Sequence, residues 1–180
     1  GLKKTLPLIQ SGVLSITDLP ADYDFNDRQA IQRATLLSGQ PHINREAIAG
    51  FLGSLKFPQY HLDFETFQLA IPAYDHSRPY QQTVFQYSLH VWHSFDSEPE
   101  HYEFLADGKS DPRPEILASL QEHIGAVGDI VAYNMGFEKM CLRDSAEAFP
   151  EYRAFVAGLM PRFVDLLAPF RAFDYYHPKQ

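Results

Sequence analysis

The stretch that decides the fold is YHLDFETF, residues 60–67. Strand-forming aromatic and aliphatic side chains surround two carboxylates, Asp63 and Glu65, which are spaced two residues apart. Because side chains alternate between the faces of a strand, both acids point to one face while Leu62 and Phe64 point to the other. Two such acids repel each other and are costly to bury, unless a hard divalent cation binds them. The alternative is an edge strand whose polar face lies in water.

The segments after residue 67 alternate between strand and helix patterns. Runs rich in β-forming residues predict two further strands, and a run with apolar residues on one side predicts a helix. A short apolar strand and two helical stretches follow, with a break at Pro150. These predicted segments are, in order, strands 83–92 and 100–106, helix 113–128, strand 129–134, and helical stretches 135–159 and 162–173. The pattern predicts an α/β fold with a mixed sheet whose second strand runs antiparallel to the rest.

Residues 1–57 have a different character. They contain three short helical patterns, one with Asn26 or Asp27 as its N-cap and Gly39 as its end. We therefore expect a helical connector or appendage over residues 1–57 and an α/β domain over residues 58–180.

Composition limits the possible classes of protein. No run approaches the roughly 18 apolar residues of a membrane span, and the single cysteine, Cys141, excludes a disulfide framework. We expect a cytoplasmic protein. The net charge of −8 is concentrated in residues 58–133, which hold 3 basic side chains against 12 acidic ones. This acidity indicates either a solvated surface or acids that bind metal ions.

A second candidate motif is VAYNMGFEK, residues 131–139, where a buried strand leads directly into a helix. Asn134 is a candidate helix cap, and Glu138 falls in the first helical turn, facing back toward the strand ends. An acid at this position also has a purely structural explanation, since the helix dipole favours it.

Together the two motifs resemble the DEDD superfamily, the proofreading-exonuclease-like nucleases of the ribonuclease H-like fold. Asp63, Glu65 and Thr66 match the first motif of that superfamily residue by residue. Asn134 and Phe137 match the second motif, but Glu138 stands where an aspartate is usual. RFVDLLAPF, residues 162–170, resembles a structural landmark of the superfamily that does not usually bind metal.

The resemblance implies 3′–5′ exonuclease hydrolysis of DNA or RNA with two Mg²⁺ or Mn²⁺ ions, which activate water and stabilise the leaving oxygen. Asp63 would bridge both ions, Glu65 would bind the ion on the side of the nucleophile, and Glu138 would hold the other. Four residues within or next to the motifs are candidates for contact with substrate: Thr66, Phe67, Asn134 and Phe137.

A narrower resemblance covers roughly residues 58–180. It is to a bacterial domain family that lies C-terminal to a RecB-like nuclease domain, which is therefore an expected partner in a longer chain. The last catalytic motif of the superfamily is absent before Gln180, so we expect weak or no activity from this fragment. The alternative is a catalytically degenerate exonuclease-fold module that binds nucleic acid or a protein partner. The histidines show no zinc-binding spacing, and Ser88 and Cys141 lack the context of a nucleophile.

Overall fold

The structure, a computed structural model, describes residues 2–179. None of the helices in this part of the chain is long and apolar enough to cross a membrane. The helices are α1 (Leu2–Gln10), α2 (Asp27–Ser38), α3 (Arg45–Ser54), α4 (Arg113–His123), α5 (Gly136–Ala148), α6 (Arg153–Leu159) and α7 (Ala168–Ala172). The strands are β1 (His42–Ile43), β2 (Gln59–Gln68), β3 (Gln82–Trp92), β4 (Glu100–Leu105), β5 (Asp129–Ala132), β6 (Phe163–Asp165) and β7 (Tyr175–Tyr176).

The chain forms two compact units. The first contains residues up to Gly53 together with those from Ala168 onward, and the second runs from Ser54 to Leu167. In the first unit, β1 pairs antiparallel with β7. Helix α2 has the ends that the sequence predicts, with an Asn26 side chain that accepts from a backbone N–H and a left-handed Gly39 at the C-terminus.

The second unit is built on a five-stranded mixed sheet with the strand order β4-β3-β2-β5-β6. Strand β3 runs antiparallel to both of its neighbours, whereas β2, β5 and β6 are parallel to one another. The predicted α/β fold is therefore confirmed, including the antiparallel second strand of the sheet.

The core lies on one face of this sheet. Tyr60, Leu62 and Phe64 of β2 are buried there together with apolar residues of β3, α4, α5 and α6. Helix α4 contacts β3, and helix α5 contacts both β2 and β3. The alternation of side chains along β2 leaves the acids on the opposite face.

One element differs from its prediction. Residues 162–173 were expected to be helical throughout, but Phe163–Asp165 form the edge strand β6, and only Ala168–Ala172 form a helix. Val164 pairs with Val131 of β5 in a parallel ladder. This pairing is a contact between distant parts of the chain, and it outweighs the weak helical preference of so short a segment.

Two buried features fix the loops around the sheet. The guanidinium of Arg113 is 1% exposed. It donates to Asp111 Oδ2 at 2.6 Å and to the backbone oxygen of Asp75 at 2.8 Å, so it holds the loop between β2 and β3. Gly128 has a φ of +89°, and a Cβ at this position would overlap the carbonyl oxygen of Pro58.

Candidate functional site

The acids of the first motif lie on the face of β2 that points away from the core. Asp63 and Glu65 are exposed, while the intervening Phe64 is 5% exposed. In the antiparallel ladder with β3, Asp63 is opposite Ser88 and Glu65 is opposite Gln86. The prediction that both carboxylates share one face is confirmed.

A β-bulge follows Glu65 directly. Glu65 pairs with Gln86 and Thr66 pairs with Val84, so Phe85 is an extra residue on β3. Bulges bend a strand and redirect its side chains, and they are common beside functional sites. Here the Phe85 ring lies 6.1 Å from the Phe67 ring, measured between centroids.

Strand β5 ends before β2 does, so it does not pair with β2 at the level of the acids. Only Gln59, Tyr60 and His61 of β2 pair with β5. The chain then turns at Asn134, which has a φ of +65°, and enters helix α5 at Gly136. The first turn of α5 therefore begins close to the level of Asp63 on the neighbouring strand.

A carboxylate from the neighbouring strand β6 binds the turn between β5 and α5. Met135 occupies the N-cap position of α5 without a side-chain cap, so the prediction that Asn134 caps this helix is wrong. A left-handed backbone at Asn134 places this residue outside the extended geometry of a capping residue. The backbone N–H of Asn134 instead donates to Asp165 Oδ1 at 2.8 Å, and the N–H of Leu167 donates to the same oxygen at 3.0 Å.

Glu138 lies in the first turn of α5, as predicted, but it is far more buried than an ordinary first-turn acid. It is 3% exposed, and its Oε2 atom has no hydrogen-bond partner. Burial, together with the negative charges of Asp63 and Asp165, raises the pKa of Glu138 from 4.5 to about 7. Such a carboxyl group retains its proton up to about pH 7 unless a cation compensates its charge.

The structure thus brings Asp63 and Glu138 of the two predicted motifs within electrostatic reach of each other, and it adds Asp165. Glu65 follows Asp63 on the same face of β2, one side chain closer to the bulge. Among residues 2–179, no three His, Cys, Asp or Glu side chains form a group that could hold a metal ion as they stand. Asp63 and Glu138 are therefore close to each other, but the three predicted ligands do not surround a common point.

The remaining candidate residues have local structural contacts. The Thr66 hydroxyl donates to Gln82 Oε1, and the Phe67 ring lies 6.3 Å from the ring of Tyr74. Phe137 is partly buried and packs against the core, whereas Asn134 forms the turn described above.

Two features of this face were not predicted. The first is the position of Asp165, which the sequence places in a structural landmark. The parallel pairing of β5 with β6 brings Asp165 beside the start of α5, and the sequence pattern does not reveal this pairing. His61, His90 and His101 lie opposite one another on three adjacent strands, and the rings of His90 and His101 stack at 4.2 Å. Burial, together with the nearby His90, lowers the pKa of His61.

In the comparison with known proteins, a family model named Domain of unknown function (DUF2779) matches residues 60–180. The chain belongs to this family. The DUF2779 match begins within β2 and contains both acidic motifs as well as Asp165. No curated protein and no solved structure matches the chain.

Proposed function

We propose that the face of β2 that carries Asp63 and Glu65 is a divalent-metal-dependent phosphodiester hydrolysis site of the DEDD exonuclease type. The observation that carries the proposal is the burial of the Glu138 carboxylate. This residue is 3% exposed, and its Oε2 atom lacks a hydrogen-bond partner. A buried polar atom without a partner is costly, and a bound ion that completes it is one explanation for its retention.

A hard cation fits the available donors. Asp63, Glu65 and Glu138 offer only carboxylate oxygens, which Mg²⁺ and Mn²⁺ prefer. A cation would offset the repulsion among these acids, and it would supply the missing partner of Glu138. Nitrogen and sulfur donors, which would favour zinc, are not among these three side chains.

Each residue then has a defined part in the proposed reaction. Asp63, Glu65 and Glu138 would hold the metal, whose chemistry is to polarise the phosphate and to lower the pKa of a bound water. Phe67 lies on the same face of β2 as the two acids, so its ring can stack against a nucleobase of the substrate. The backbone of Thr66 and the turn formed by Asn134 would border the substrate at the two ends of the site, beside Phe137.

The wider setting is part of the same proposal. The substrate is DNA or RNA, degraded in the 3′–5′ direction with Mg²⁺ or Mn²⁺. The chain would act in the cytoplasm beside a RecB-like nuclease domain of a longer protein. Membership of the DEDD superfamily is supported by the two acidic motifs and by the antiparallel second strand of the sheet.

The proposal is tested by titrating the chain with Mn²⁺ and by assaying 3′-labelled single strands in the presence of that ion. We expect Asp63→Asn and Glu138→Gln to weaken Mn²⁺ binding by more than about tenfold, since each removes a charged ligand. Glu103→Gln is the matched control, because Glu103 is an exposed acid of the same sheet on β4. Equal Mn²⁺ affinity in the wild type and in both site variants would rule out the metal site.

A second candidate function is a catalytically degenerate exonuclease-fold module that binds nucleic acid or a protein partner. It is favoured by the finding that residues 2–179 contain no three potential ligands in a metal-holding arrangement. In that case single strands would bind equally well with Mn²⁺ and with EDTA, and no 3′ label would be released.

A further inference from the structure

We infer that Asp165 is a positioning residue for Glu138. It fixes the turn that leads into helix α5, and thereby sets the position of the Glu138 carboxylate relative to Asp63. This inference rests on the proposed function, because it assigns Asp165 a part in building the proposed metal site. It differs from the role implied by the resemblance, in which Asp165 belongs to a structural landmark.

The first observation is the pair of hydrogen bonds at one oxygen. Asp165 Oδ1 accepts from the backbone N–H of Asn134 at 2.8 Å and from that of Leu167 at 3.0 Å. One carboxylate oxygen therefore joins the turn after β5 to the turn after β6. Hydrogen bonds to a charged acceptor are stronger than neutral ones, so this junction is stiff.

The second observation is the conformation of the turn itself. Asn134 has a φ of +65°, a left-handed conformation that asparagine adopts more readily than most residues but less readily than glycine. Helix α5 then begins without a side-chain cap of its own. The bond from Asn134 to Asp165 is a contact from a neighbouring strand that helps to hold this turn in place.

The third observation is the short distance along the chain from this turn to the site. Phe137 donates to the carbonyl of Asn134 at 3.1 Å, and Lys139 donates to that of Met135 at 3.0 Å. These two bonds close the first turn of α5 around Glu138. A change in the backbone at Asn134 would rotate that turn, and the Glu138 carboxylate would move with it.

Parallel pairing explains why an aspartate of β6 can perform this role. Asp165 lies opposite Ala132, the last residue of β5, and Leu166 donates to the carbonyl of Ala132 at 2.9 Å. The carboxyl ends of β5 and β6 therefore lie level with each other. An acid at the end of β6 is placed directly beside the turn that leaves β5.

The test uses two substitutions at one position. Asp165→Asn keeps an oxygen that can accept both backbone hydrogen bonds, whereas Asp165→Ala removes it. Asp129→Ala is the matched control: Asp129 accepts from the backbone N–H of Lys56 at 2.8 Å, but it does so at the opposite end of β5. Amide hydrogen exchange is measured at Phe137 and Lys139, and Mn²⁺ affinity is measured on the same samples.

We expect Asp165→Ala to speed exchange at both amides by about tenfold or more and to weaken Mn²⁺ binding by about 10–100-fold. Asp165→Asn should keep both the exchange rates and the Mn²⁺ affinity close to those of the wild type, and Asp129→Ala should change neither quantity. Exchange at Phe137 and Lys139 that is equal in Asp165→Ala and wild type overturns the inference. So does faster exchange at these amides with unchanged Mn²⁺ affinity. A wild-type chain that takes up no Mn²⁺ overturns the proposed function instead, and the exchange data then decide the role of Asp165 alone.

Discussion

Replacing Glu138 with glutamine should change how the stability of the fold depends on pH. Burial raises the pKa of Glu138 from 4.5 to about 7 in the folded state, with further contributions from two neighbouring acids. Below pH 4.5 the group is protonated in both states, so stability is unaffected. As the pH rises toward 7, the unfolded chain releases this proton while the folded chain retains it. The free energy of unfolding therefore falls across this window and stays lower above it.

The size of the effect follows from the same values. One unit of pKa corresponds to 1.36 kcal/mol, so the difference between 4.5 and about 7 amounts to about 3 kcal/mol. Glu138→Gln is neutral at every pH and has nearly the same shape. In a metal-free buffer, we expect it to match the wild type at pH 4 and to be about 3 kcal/mol more stable at pH 8.

Urea denaturation at pH 4, 6 and 8 measures this difference directly. The control is Glu147→Gln, which alters an exposed carboxylate of the same helix and should follow the wild type throughout. Added Mn²⁺ should remove most of the wild-type deficit at pH 8, because a bound cation stabilises the ionised carboxylate. If the wild type and Glu138→Gln lose stability in parallel from pH 4 to pH 8, Glu138 is not held protonated by its surroundings.

Three further predictions concern the rest of the sheet unit. Gly128→Ala should lower the free energy of unfolding by several kcal/mol in urea denaturation, because the new Cβ would overlap the carbonyl oxygen of Pro58. Gly158→Ala is the control: its Cβ would have no atom within 4 Å, so this helix substitution should be neutral or stabilising. Arg113→Ala should lower the free energy of unfolding by about 3–5 kcal/mol in the same assay, since it leaves the partly buried Asp111 without its ion pair. Arg78→Ala, the control, breaks an ion pair whose arginine is 65% exposed and should lower it by about 1 kcal/mol or less. Cys141 is 1% exposed, and its burial together with nearby acids raises its pKa to about 12. It should therefore react with a thiol reagent only at the rate at which the chain unfolds. Fast labelling of the folded chain would contradict the structure.

The sequence predicted those parts of the fold that depend on local pattern. Alternating side chains identified β2 and β3, and Asn26 and Gly39 marked the ends of α2, because strand periodicity and helix capping act over a few residues. The same reasoning placed Asp63 and Glu65 on one face of the sheet. These features can be predicted without knowing which elements pack against them.

The features that were missed depend on contacts between distant segments. Strand β6 has three residues and exists because it pairs with β5, so its own composition could not reveal it. The cap predicted at Asn134 failed because the backbone of this residue is left-handed, in a turn that is bonded to Asp165, 31 residues later. The burial of Glu138 could not be read from its place in a first turn, since exposed and buried acids occur there alike.

The short turn between β5 and α5 limits how this family can vary in length. With the start of α5 held in place, each residue inserted between Gly136 and Glu138 would rotate the acid by about 100° around the helix axis, because a helix has 3.6 residues per turn. One insertion would carry the carboxylate away from Asp63. The loop between β2 and β3 carries no such constraint on the distance to an acid, and it can gain or lose residues beyond its contact with Arg113. Relatives should therefore differ in the length of that loop while keeping a constant spacing from the end of β5 to the buried acid.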